Sequence, residues 1–360
     1  MKPKEKNRTQ NQVKQKLWLA VALVLFLINL IIIIGPTGLK KVDFSFFQPR
    51  LNSSPLSQKP EASCQDCLRR AIDGVSVKPG QENFYPVAVV IDNQIEARPA
   101  AGLAQANLVY EVEAEAGITR FLAIFASGEE IAAIGPVRSL RPYLIDWVNE
   151  LSAILVHCGG SPEALVKISQ SQLYNLNEFY QGSFFWRDQN KTSPHNIYIS
   201  SQNLAKFLEK QGLAKGNFQS WQFKDDLAPE LRPKEAEIKI VRPAASYLVK
   251  WKYNQQKNDY FRYQADEVQR DQAGKLIRAK NVIIEYVKTE VIDQVLRVRL
   301  SNLGSGQALI CLDGRCQTGS WQKQESSSRS RFYDQEKNEI KFNAGTTWIE
   351  VVRPEIEVKY

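Results

Sequence analysis

Residues Leu17 to Ile34 read LWLAVALVLFLINLIIII, eighteen positions interrupted by one polar side chain, Asn29. A helix of that length, at ~1.5 Å per residue, crosses most of a ~30 Å hydrocarbon core. A soluble helix would carry a polar face at helical period, and this segment has none. Upstream, Lys2, Lys4, Lys6, Arg8, Lys14 and Lys16 stand against Glu5 alone, so residues 1–16 hold +5 of the chain's +8. A basic flank keeps the N-terminus in the cytoplasm and sends the following chain across. A cleavable signal peptide would have a shorter apolar stretch and an A-x-A-like end, whereas Gly35-Pro36-Thr37-Gly38-Leu39 follows here. The expectation is a single-pass anchor, residues 17–35, with the rest of the chain outside the cytoplasm.

The remaining +3 is spread over 344 residues. The high pI is therefore no argument for nucleic acid, and none is expected as a partner. Of the five cysteines, Cys311 and Cys316 flank Asp313-Gly314, a strong two-residue hairpin signal that sets them opposite each other. Outside the cytoplasm this pair is expected as a disulfide, and so is Cys64–Cys67. Cys158 is left over.

Residues 36–82, rich in Pro, Ser, Gln and Lys, read as an extracytoplasmic linker, with a short helix conceivable around Cys67 to Ile72. From Pro86 the pattern alternates. Val87–Ile91, Leu108–Val112, Phe121–Phe125, Ile131–Ile134 and Ile154–Val156 read as strands. Pro142 to Leu151 reads as a helix, and Ser161-Pro162-Glu163 opens another, with Ser161 as cap and Pro162 in the first turn. This predicts an α/β domain with a mixed sheet over residues 83–225. Residues 235–355 show strand after strand, among them Ile238–Val241, Tyr247–Tyr253, Val282–Val287 and Thr347–Val352, and predict a mostly β second domain.

The chemistry-bearing residues fall at strand-to-helix junctions of the first domain, where open α/β sheets place their ligands. Arg138, Ser139 and Arg141 follow a Gly-Pro turn, with the guanidinium groups three apart at a helix start, a spacing suited to carboxylate or phosphate. They are equally able to pair with local acids such as Asp146. His157, Gly159, Gly160 and Ser161 bring a histidine and two glycines onto a capped helix start, the makings of an anion nest. Arg187, Asp188, His195 and Asn196 crowd one loop. Glu111, Glu113 and Glu115 share a face at strand period, and their repulsion calls for Arg120, Arg138, Arg141 or a divalent cation. No particular metal is indicated, and no nucleophile stands out.

Several of these stretches, in order, resemble the YerB-like family of bacterial cell-envelope proteins. They are Pro86 to Ile91 with Asp92-Asn93, Arg98-Pro99, Tyr110-Glu111, Gly117 to Arg120, Ile134 to Ser139, Gly159 to Pro162 and Pro194-His195-Asn196. Gly304 to Ala308, Gly319 to Trp321 and Thr347 to Val351 resemble that family's second domain. The resemblance implies an envelope protein whose relatives are often lipoproteins, and it names no reaction; here a hydrophobic segment stands where a lipid-bearing cysteine would be. Over a shorter stretch, the order of strand, Arg138 turn, helix and Gly159-Gly160 strand end is similar to LytR-CpsA-Psr enzymes, which attach polymers to the wall. That similarity implies arginines on a polyprenyl pyrophosphate and acids on a metal. The residues thus predict an anionic wall or lipid-linked ligand on Arg120, Arg138, Ser139, Arg141, Gly159, Gly160 and Ser161. In an enzymatic version, a transferase or hydrolase, Glu111, Glu115, His157 and His195 are the catalytic candidates, with Asp92, Arg187 and Asn196 nearby. A non-catalytic envelope scaffold is the other class.

Overall fold

The computed structural model describes residues 66–360. The expected tail, the anchor, the first part of the linker and Cys64 lie outside the described residues. No helix within them is long and apolar enough to cross a membrane.

The strands that organise the fold are, in chain order, β1 (Val87–Asp92), β2 (Leu108–Glu115), β3 (Ile118–Phe125), β4 (Ile154–His157), β5 (Asn175–Asn177), β6 (Glu237–Val241), β7 (Val249–Asn254), β8 (Asp259–Gln264), β9 (Asn281–Tyr286), β10 (Gly304–Leu312), β11 (Arg315–Lys323), β12 (Arg331–Tyr333), β13 (Thr347–Val352) and β14 (Glu357–Lys359). Three longer helices accompany them, α1 (Pro142–Asn149), α2 (Pro162–Ser169) and α3 (Ser201–Lys210), with a single helical turn at Glu178–Gln181.

Ten strands form one mixed sheet in the order β12-β11-β10-β9-β13-β2-β3-β1-β4-β5. β1 is buried along its whole length, as its unbroken apolar run requires of a strand covered on both faces. Its side chains alternate: Ala88 and Val90 enter one apolar cluster, Val87, Val89 and Ile91 the other. The first cluster takes in α1 and α2, where Trp147 stacks on Tyr110 at 4.8 Å. The second takes in α3 and the inner faces of β6, β7 and β8, which with β14 and two short strands make a six-stranded sheet. The body is therefore layered: α1 and α2, a long sheet, then a layer made by the short sheet and α3.

The two sequence segments expected as separate domains share the long sheet. β13 lies between β9 and β2, parallel to both, with Thr347–Val351 in register with Leu108–Val112. The folded part also begins earlier than residue 83. Leu68–Arg69 pairs with Ser76–Val77 where a helix was conceivable, and Ile72 reaches the core. Ile131–Ile134 forms no strand; Ile134 makes only an isolated bridge to Ile199. Sequence reading missed the helix α3, where Leu204, Phe207 and Leu208 stand at helical spacing behind the cap Ser200, and the strand β8, with three aromatics in six residues. The structure is richer in strand than the expected α/β reading.

Local signals fared better. Ser161 Oγ accepts from Ala164 N at 3.3 Å with Pro162 at the first position of α2. Asp313 and Gly314 both take positive φ, 51° and 75°, as a two-residue hairpin turn demands. Cys311 and Cys316 face each other across it in a disulfide, Cα atoms 4.0 Å apart. The expected Cys64–Cys67 pairing reaches outside the described residues.

Candidate functional site

The structure sorts the predicted residues into three places. The first is an edge where β1 ends. Asp92, its last residue, holds three groups. Its Oδ2 accepts from His195 Nδ1 at 2.7 Å and lies 2.8 Å from Arg138 Nε; its Oδ1 accepts from Gln94 N at 2.9 Å. The Arg138 Nε–H is not aligned on that oxygen, so the contact is an ion pair rather than a hydrogen bond. Arg138 Nη1 reaches Pro194 O at 3.5 Å.

Asp92 is the register partner of Arg120 on β3. Arg120 donates through Nη2 to Glu115 Oε1 at 2.7 Å and through Nη1 to the backbone oxygen of Ser139 at 2.7 Å. Arg141 takes the other oxygen of Glu115. Burial and the neighbouring Arg141 lower the pKa of Arg120 to about 10. Burial resists ionisation of Glu115, but Arg120, Arg141 and Arg138 outweigh it and hold its pKa below the usual range. Asp92, Glu115, Arg120, Arg138, Arg141 and His195 thus form one continuous cluster, three guanidinium groups on two carboxylates. Asp146, the local acid considered for the arginines, pairs instead with Lys167 at 2.8 Å.

The loop side of this edge carries Arg187, which bonds Asn196 Oδ1 at 3.1 Å and Glu178 Oε1 at 3.0 Å. Glu178 also faces Cys158 Sγ at 3.5 Å, and burial followed by that carboxylate pushes the thiol up to about 11. Cys158 is therefore a thiol near neutrality, no ready nucleophile.

The second place corrects the nest. Gly159 takes φ +60° as expected, yet its N–H donates to Asn177 Oδ1 at 3.0 Å, and Ser161 N donates to Leu140 O at 3.1 Å. Gly160 bridges to Leu140. The chain itself fills the N–H groups of Gly159 and Ser161. His157 is fully buried, its Nδ1 2.6 Å from Gly159 O and its Nε2 2.7 Å from the Asn175 side chain, and burial lowers its pKa. It fixes the strand end and is not positioned to move a proton to a ligand.

The third place is sealed between the two sheets. Glu111 on β2 stands beside Glu350 on β13, neighbours in register. Two arginines from the second segment relieve the repulsion: Arg262 on β8 pairs with Glu111, and Arg242 Nη2 bonds Glu350 Oε2 at 3.0 Å. Thr119 Oγ1 donates to Glu111 at 2.8 Å, and Trp251 Nε1 to Glu350 at 3.1 Å. Burial opposes the charge on Glu111, yet Arg262 and Arg242 keep its pKa below normal. Burial and then Glu111 push Glu350 up to about 7. Arg262 lies among Trp348, Phe121 and Trp251, 5.1 to 5.8 Å from their ring centres.

The three acids expected on one face are thus divided. Glu111 takes Arg262, Glu113 takes Arg353 through two bonds of 2.8 Å, and Glu115 takes Arg120 and Arg141. A bulge between Glu113 and Glu115 breaks the alternation. Among the described residues no group of His, Cys, Asp or Glu is placed to hold a metal ion. Sequence reading missed Arg242, Arg262 and Glu350. The available signal was a charge inside an otherwise apolar strand, as in Thr347-Trp-Ile-Glu350-Val-Val352.

Comparison with known proteins agrees with this architecture. Residues 73–214 match the N-terminal domain, and residues 238–349 the C-terminal domain, of a family described as a protein of unknown function, DUF3048. The "Putative lipoprotein YerB" of Bacillus subtilis (strain 168) is 30% identical over 289 residues, 79% of this chain and 86% of that protein. The crystal structure of the YerB protein from Bacillus subtilis superposes with a TM-score of 0.72 at 28% identity, covering 81% of this chain and all of that one. Matched along both segments and in the fold that joins them, the chain belongs to the two-domain YerB-like family, whose function is unknown.

Proposed function

We propose that this chain is a membrane-anchored cell-envelope protein that binds an anionic group of a wall or lipid-linked ligand at the Arg138 edge. The anchor would be residues 17–34, and the folded body would face outward. One observation carries the binding reading: among the described residues the only carboxylates paired with Arg120, Arg138 and Arg141 are Asp92 and Glu115, so a positive excess remains where β1 ends. Arg138 keeps 17% of its side chain exposed, and its Nε–H is unaligned on Asp92, so this fork can turn toward a phosphate or carboxylate. A metal-dependent transfer reaction has less support, because its acids are spent on arginines and Glu111 is sealed away. A partner-protein surface has one observation in its favour: Phe179 and Tyr180, beside this edge, are 66% and 83% exposed.

The test is titration of the full chain in amphipol with inorganic pyrophosphate and citrate, followed by calorimetry. Binding that weakens about tenfold or more in Arg138→Ala, with the protein still folded, supports the reading, as loss of a charge-assisted pair should. Wild-type protein that binds neither anion sinks it. Protease accessibility of a C-terminal tag on intact cells tests the topology.

A further inference from the structure

A cavity of about 350 Å³ opens where the parallel strands β2 and β13 end, and none of its residues belongs to the Arg138 edge. The carboxyl end of parallel strands is the usual ligand position in such sheets, and the volume lies at the low end of small-molecule sites, about 300–1,000 Å³. Its walls are aliphatic, with Val112, Leu300 and Val351 from the body and Val291 and Leu296 from an exposed hairpin arm.

Charge is set into this apolar wall at few points. Glu113 and Arg353 pair through two hydrogen bonds; Glu113 also accepts from Gly117 N, and Arg353 Nη1 lies 4.0 Å from Glu355 Oε1. Glu355 is at the rim, 68% exposed and so screened. Arg242 is different. It lines the cavity with its side chain 95% buried, yet among the described residues its one hydrogen bond is Nη2 to Glu350. Its Nε–H is buried without any acceptor. A guanidinium has five donors, and one so deeply buried normally has them filled.

We propose that this cavity binds a small monocarboxylate with an aliphatic body, its carboxylate on the Arg242 fork and its chain against Val291 and Leu296. The charge balance behind the cavity supports an anion. Arg242 and Arg262 face Glu111 and Glu350, but burial and Glu111 push Glu350 up to about 7, which leaves the group short of negative charge near neutrality. A ligand carboxylate supplies what is missing.

Hexanoate is the probe, with hexanol and hexylamine as matched controls, titrated into the full chain in amphipol at pH 7 by calorimetry and saturation-transfer NMR. Hexanoate should bind about tenfold or more tightly than either control, the discrimination expected of one charge-assisted pair. Val291→Trp fills the cavity from an exposed wall without touching the core and should weaken hexanoate about tenfold. Arg242→Gln should do the same; should that variant not fold, Val291→Trp decides alone. No hexanoate binding, equal binding of hexanol, or affinity unchanged in Val291→Trp overturns the proposal.

Discussion

Two groups of arginines and carboxylates in this protein use the same residue types to opposite ends. Between the sheets, Glu111, Glu350, Arg242 and Arg262 are buried to the last few per cent, and their partners come from strands far apart in the chain. At the end of β1, Asp92, Glu115, Arg120, Arg138 and Arg141 close on one another, but Glu115 and Arg138 stay 25% and 17% exposed. The inner group has two arginines on two carboxylates, one of them with its pKa raised to about 7, and it cross-links two sheets. The edge has a surplus arginine and an open side. Composition cannot separate these cases; solvent access and charge balance can.

The comparison breaks first if the sealed group is not structural. Arg262→Met leaves Glu111 buried without its main partner, which should cost about 3–5 kcal/mol, whereas the double variant Glu111→Leu, Arg262→Met should regain most of it. Urea denaturation of the full chain at pH 7 measures both. A loss below about 1 kcal/mol for the single variant would mean that the ion pair does not hold the sheets together.

A smaller effect sharpens the same contrast. Glu350 has its folded pKa raised from 4.5 to about 7, so the folded state keeps a proton that the unfolded chain gives up. Stability from this group is therefore complete below about pH 4.5, falls as pH rises and levels off above about 7. Glu350→Gln keeps an acceptor for Trp251 and removes the titration. Between pH 5 and 7.5 the wild type should lose on the order of 2 kcal/mol more than this variant. Parallel stability curves would place the proton elsewhere.

How much of this could be read beforehand depends on range. The β1 strand, the Asp313-Gly314 hairpin with its disulfide and the Ser161-Pro162 helix start are local patterns, and each formed as the residues dictate. The insertion of β13 beside β2 is not local. Arg353 and Glu113 meet across 240 residues, and Arg262 and Glu111 across 151, with no periodicity to announce them. The edge was half legible. The relief of Glu115 by Arg120 and Arg141 was expected from their spacing, while His195 reaches Asp92 from 103 residues away. A nest depends on whether its N–H groups are free, and Asn177 and Leu140 already take those of Gly159 and Ser161.

The smallest expected effect on stability is the one on which the functional contrast turns. Arg138 pairs with Asp92 at a partly exposed site, and Asp92 keeps His195 Nδ1 and Gln94 N when the guanidinium is removed. Arg138→Ala should therefore cost about 1–2 kcal/mol, well below Arg262→Met, because the carboxylate keeps two of its three partners. Arg120, buried and bonded to both Glu115 and Ser139, has no such freedom, and its removal would confuse loss of fold with loss of site. A residue that costs little to remove yet abolishes anion binding is one kept for the ligand. If Arg138→Ala instead destabilises as strongly as Arg262→Met, the edge is a second structural cross-link, and the two groups differ in exposure but not in purpose.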